Sequence, residues 1–94
     1  MKFEINTTLK GIKDEPLQLT VKDVIIQSLL SPVNEDKQEE KWHKYEVYKK
    51  VKEALDEVEL KTEDVTLIKK MIGRFQPPLI LGQCYEIIED NGNS

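Results

Sequence analysis

The chain is short of the residues from which most chemistry is built: one cysteine, one histidine, four glycines and six aromatics in 94 residues. Cys84 has no second cysteine with which to close a disulfide, and it lies in an apolar stretch. It is expected to pack as a small hydrophobe in a reducing setting. Four glycines leave little room for a backbone cradle around a phosphate, and no calcium loop, phosphate-binding glycine run or nucleophile elbow occurs.

His43 stands between Trp42 and Lys44, with only Glu39, Glu40 and Glu46 at helical reach. It reads as an ordinary exposed histidine rather than a metal ligand. A nucleophilic pairing with Cys84 would need a tertiary coincidence that nothing in the spacing suggests. The acidic pairs Asp14-Glu15, Glu35-Asp36, Glu63-Asp64 and Glu89-Asp90 each fall at a turn or helix end. The expectation is a protein that is not an enzyme, with no cofactor, no metal and no catalytic residues.

Long apolar runs are also missing. Nothing approaches the roughly 20 residues that cross a bilayer, and the start MKFEINTT has no signal-peptide core, so no membrane partner and a cytoplasmic setting are expected. There is no excess of positive charge either. The net charge is −4, with a third of the residues charged and both signs interspersed, which disfavours nucleic acid as a partner.

What is present is strong local patterning. With 38% apolar residues the chain suits one compact domain, residues 1–90, with a frayed tail over 91–94. From Lys2 to Leu9 the residues alternate, Phe3, Ile5, Thr7 and Leu9 against Lys2, Glu4, Asn6 and Thr8, as a half-buried strand does. After a break at Gly11 to Pro16, Leu17-Gln18-Leu19 resumes the alternation, so a β-hairpin is predicted. Two strands alone are marginal, and the helices that follow must cover them.

Thr20 with Asp23 forms a capping-box start for a helix carrying Val21, Val24, Ile25, Ile26 and Leu29 inward; Ser31-Pro32 stops it. A polar, acidic link leads into a long helix from about Asp36 to Asp56, with Trp42, Tyr45, Tyr48, Val51, Leu55 and Val58 recurring every three or four residues. Glu39, Glu40, Lys44, Glu46, Lys49, Lys50 and Glu53 are assigned to its solvated side. Val58-Glu59-Leu60 reads as a linker or as a third strand beside the hairpin. Thr62 is expected to cap a third helix with Val65, Ile68, Met71, Ile72 and Phe75 inside and Gly73 as its stop. Pro78 then suits the first turn of a last helix burying Ile80, Leu81, Cys84, Ile87 and Ile88. Gly82, inside that helix, costs about 1 kcal/mol against alanine, so a close helix crossing or a partner contact is expected there. The predicted class is α+β: an N-terminal β-hairpin on about four helices, the last two forming a helical hairpin.

That final helix-turn-helix raises a DNA-binding reading, with Lys69, Lys70 and Arg74 on phosphates. The first turn of the second helix, Pro78-Leu79-Ile80-Leu81-Gly82, offers no side chain that reads a base edge. For Trp42, Tyr45 and Tyr48 two readings stand: the core seam of the long helix, or a protein-binding patch, since Trp and Tyr are typical interface anchors. The candidate binding residues are Trp42, Tyr45 and Tyr48 with the acids Glu35, Asp36 and Glu39 of the preceding link.

The succession KDVIIQSLLSP, a charged helix, EDVTLIKKMIG and PPLILGQCYEIIE, with its PPL-x-x-GQ-x-Y corner, resembles small uncharacterised proteins encoded by tailed phages and prophages. The likeness spans nearly the whole chain, and no activity or site residue follows from it. It implies a phage or prophage accessory protein in the bacterial host cytoplasm that binds a host or phage protein, for instance as an inhibitor or modulator. A virion morphogenesis or tail-assembly role, in which homo-oligomerisation has a place, and a DNA-binding regulator are the alternatives.

Overall fold

A computed structural model describes the backbone of residues 1–92 and the side chains to Glu89. Strands β1 (Lys2–Glu4), β2 (Thr8–Lys10) and β3 (Pro16–Thr20) precede helices α1 (Val21–Leu30) and α2 (Gln38–Glu53). Strand β4 (Glu57–Glu59) and helices α3 (Thr62–Phe75) and α4 (Pro78–Gly92) follow. The class is α+β, with small antiparallel sheets on four helices and the last two helices consecutive. Beyond Gly92, the tail expected over 91–94 lies outside the described residues.

The alternating N-terminal segment serves two ladders rather than one. β1 pairs with β4, Phe3 opposite Val58, while β2 pairs with β3 across an irregular register from Thr8↔Thr20 to Lys10↔Pro16. Val58 therefore belongs to a strand, one that the first strand rather than the hairpin recruits. Between the two ladders Ile5 donates its N–H to the Asp56 carbonyl at 2.9 Å and accepts from the Lys22 N–H at 2.9 Å. Phe3, Ile5 and Leu9 stay on one side throughout, at most 1% exposed. An alternating pattern specifies which face is buried but not which neighbour the backbone bonds. At the hairpin turn Asp14 takes a left-handed φ of 60°, a conformation that aspartate tolerates better than most residues.

α1 forms as its caps dictate. The Asp23 N–H donates to Thr20 Oγ1 at 3.2 Å and the Thr20 N–H donates to Asp23 Oδ2 at 3.0 Å, so both halves of the capping box are made. Ser31, extended at ψ 130°, ends the helix before Pro32. α1 packs against both α2 and α3, and α4 lies against β1. The core that results holds Val21, Val24, Ile25, Ile68, Ile72 and Cys84, all fully buried.

Three local expectations for α3 are corrected, the first being Phe75, expected inside but 36% exposed at the end of the helix. Lys61, not Thr62, occupies the cap position and makes no side-chain capping bond. Gly73 does not stop the helix either, since it lies inside α3 and no glycine has a positive φ among the described residues. The helix ends two residues later, where Gln76 is forced extended (ψ 146°) before Pro77. Gly73 instead makes room, for a Cβ there would lie 3.3 Å from Tyr85 Oη. That hydroxyl donates to the Lys69 carbonyl at 2.5 Å and ties α4 to α3. The close crossing expected at Gly82 is thus at Gly73; around Gly82 an added Cβ would meet no neighbouring atom within 4 Å. Gln83 next to it binds β2 with both ends of its amide, accepting from the Lys10 N–H and donating to the Lys10 carbonyl, each at 2.8 Å.

Replacing Thr20 with alanine removes one side of the capping box and is expected to lower unfolding free energy by about 1 kcal/mol in urea titration. Gly82→Ala is expected to raise it by about 1 kcal/mol, because the methyl group enters open space in a helix interior.

Candidate protein-binding surface

α2 is built with few apolar residues to give to the core. Its inward positions are Lys44 (5% exposed) and the fully buried Val47 and Val51. The seam expected from Trp42, Tyr45, Tyr48, Val51 and Leu55 does not form: Trp42 is 61% exposed, Tyr45 46% and Leu55 80%, with Tyr48 half-buried. The reason is rotational. Each step of three residues advances about 300° on a helix of 3.6 residues per turn, so three such steps from Trp42 to Val51 walk roughly half-way round it.

Charged groups hold α2 in this orientation. Lys44, assigned to the solvated side from its sequence, points inward and donates to Asp36 Oδ2, their side chains 7% and 8% exposed. The hydrogen bond from Lys44 holds the Asp36 carboxyl below the usual carboxylate range. On the other flank, Asp64 in the first turn of α3 is 4% exposed and pairs with His43 Nε2 at 2.8 Å and Lys50 Nζ at 3.2 Å. Burial raises the pKa of that carboxyl, but hydrogen bonds from His43 and Lys50 outweigh it and hold it below the ordinary value. His43 is therefore a bridge between α2 and α3, not a free surface residue. No signal within α2 marks this, because its partner comes from a different helix.

With Lys44, Val47 and Val51 inward, the aromatic residues line the outer surface as a ladder. Trp42 and Tyr45 have ring centroids 5.8 Å apart, and Tyr45 and Tyr48 6.1 Å apart, tilted by 34° and 42°. The ammonium groups of Lys49 and Lys52 lie 5.9 Å from the ring centroids of Tyr45 and Tyr48. Beside Tyr45 opens a groove of about 390 Å³, walled by Leu29, Leu30, Pro32, Val33 and Lys41. Leu30, 53% exposed, continues the apolar surface onto α1.

The candidate acids part company. Asp36 lines the groove but is bonded to Lys44, Glu35 pairs with Arg74 Nη2 at 3.5 Å, and Glu39 is exposed in the first turn of α2. The aromatic residues form one surface; the acids do not join it as a patch. Of the cations offered for DNA phosphates, Lys69 pairs with Glu89 at 2.5 Å and Arg74 with Glu35, while Lys70 is exposed. Ile80 in the first turn of α4 is 8% exposed and belongs to the core. Cys84 is fully buried, and burial pushes its thiol up to about 11. Among the described residues no group of three or more His, Cys, Asp or Glu side chains could hold a metal ion, and no helix is long and apolar enough to cross a membrane.

No protein-family model matches the chain, and neither the curated proteins nor the solved structures contain a match.

A carboxyl depressed in the folded state stabilises at neutral pH, and that contribution fades as pH falls below the unfolded value of 3.8. Urea titrations at stepped pH are expected to show the native protein losing stability on acidification through that range, and Asp64→Asn losing less because position 64 no longer takes up a proton while Asp36 still does.

Proposed function

We propose that this protein is a small non-enzymatic accessory protein that works by binding another protein through the outer face of α2, with Trp42 and Tyr45 as anchors and Tyr48 beside them. One observation carries the reading: in a chain with six aromatic residues, three stand in a row on one helix, and two of them are largely open to water. Large aromatics concentrate binding energy because they bury much area with few rotatable bonds. The neighbouring groove and Leu30 extend the surface beyond scattered exposed side chains.

The resemblance to small phage and prophage proteins supplies the context. In it the partner is a host protein of the bacterial cytoplasm whose activity is inhibited or modulated. A partner from the virion would instead favour an assembly role.

The test compares two baits, the intact chain and Trp42→Ala/Tyr45→Ala, in lysate of the bacterial host, followed by titration of the captured protein in purified form. A one-to-one complex is expected with the intact chain, about thirtyfold or more weaker with the double variant, as loss of an aromatic anchor implies. Equal capture by both baits would place the working surface elsewhere.

A further inference from the structure

The aromatic ladder has a charge of its own, opposite to that of the protein. Lys41, Tyr45, Tyr48 and Lys52 follow the spacing i, i+4, i+7, i+11, and Trp42, Tyr45 and Lys49 follow i, i+3, i+7, so three lysines border the ladder. All three are exposed, and among the described residues none of them is ion-paired. Glu39, Glu46 and Glu53, recurring every seven residues, border the ladder on its Trp42 and Lys49 side, whereas Lys41 and Lys52 lie beside Tyr45 and Tyr48 on the side away from that strip. A chain of net charge −4 thus presents a cationic, aromatic stripe on its most exposed helix.

Resting on the binding face described above, we propose that the partner segment is acidic and carries an apolar side chain. Its carboxylates meet Lys41, Lys49 and Lys52, and its apolar side chain enters the groove between Tyr45 and Leu30. The groove decides for the apolar part through its Leu30, Pro32 and Tyr45 wall, while Ser31, Asn34, Asp36, Lys41 and Lys44 make the rest of its lining polar. The lysines decide for the acid, because opposite charges across an interface steer encounter and exclude like-charged partners.

Single-stranded nucleic acid also combines negative charge with stacking, but this ladder suits it poorly. The rings lean on one another at 5.8 and 6.1 Å, and Lys49 and Lys52 lie close to the two tyrosine rings, so free ring faces for successive bases are scarce.

The experiment titrates the intact chain into four labelled probes and follows anisotropy at low and physiological salt. The probes are a short glutamate-rich peptide with a central Leu-Phe pair, its lysine-for-glutamate and glutamine-for-glutamate counterparts, and oligothymidylate. The glutamate peptide is expected to bind about tenfold tighter than the lysine peptide, with the gap narrowing as salt rises. Lys41→Glu/Lys49→Glu/Lys52→Glu should invert that order, and the milder triple Lys→Gln variant should erase it; thermal melts check that both are folded. If the lysine or glutamine peptide binds the native chain as well as the glutamate peptide, the acidic-partner proposal falls. Should that binding still vanish in Trp42→Ala/Tyr45→Ala, the aromatic docking face survives without it. Tightest binding by oligothymidylate, or by no probe at all, overturns the proposal.

Discussion

The rotation of α2 about its own axis is the constraint from which the outer surface follows, and polar groups set it more than apolar ones do. Only Val47 and Val51 enter the core completely from this helix, whereas three of its cationic or imidazole side chains reach buried or nearly buried carboxylates. Asp36 on one flank takes Lys44; Asp64 on the other takes His43 and Lys50. Taking charges out of water is costly, and an apolar seam would hold a helix as firmly. What the ion pairs add is direction. Turning the helix to bury Trp42 would withdraw Lys44 from Asp36 and leave a carboxylate facing an apolar neighbourhood. The aromatic ladder is outside because the alternative strands buried charge.

The second fixed point is the corner between α3 and α4, and it explains the sequence pattern that stands out most in the chain. In PPL-x-x-GQ-x-Y, Pro77 ends α3 through the backbone of Gln76, and Pro78 opens α4. Gln83 secures the edge of β2 through both polar atoms of Lys10, and Tyr85 bonds the Lys69 carbonyl across the space left by Gly73. These residues join the hairpin, α3 and α4 into one body. Their roles are mechanical: they fix how these elements sit against one another. Gly82 alone has no internal role that its surroundings explain.

What could be read from the chain divides along the range of the interaction. The capping box at Thr20 and Asp23, the stop at Ser31-Pro32 and the start of α4 at Pro78 were legible because each is decided within a few residues. The break in the first strand was not, because alternation is the same whether the backbone bonds β3 or β4. Gly73 misled for a similar reason: a glycine near a helix end suggests a left-handed stop, but here Tyr85, twelve residues on, needs the missing Cβ. The aromatic stripe was half legible. Its residues were identifiable as either seam or surface, and only the carboxylates of Asp36 and Asp64, one in a link and one in another helix, decide between them. His43 and Lys44 read as solvated for want of those same partners.

The lysines of α2 show how closely the fold and the candidate binding surface are joined. Lys44 and Lys50 answer carboxylates within the chain, and in doing so turn the helix. Lys41, Lys49 and Lys52 lie beside the aromatic rings with no carboxylate of the described residues to meet them. An exposed tryptophan and tyrosine are a liability to a small domain unless something covers them, and lysine stems beside them shield part of that surface while keeping the charge in water. The same side chains that make the stripe tolerable in isolation also select what can displace water from it. On the proposed reading, a partner brings apolar area for the rings and groove and negative charge for the ammonium groups, chiefly on the Tyr45 side of the stripe, away from the strip of Glu39, Glu46 and Glu53.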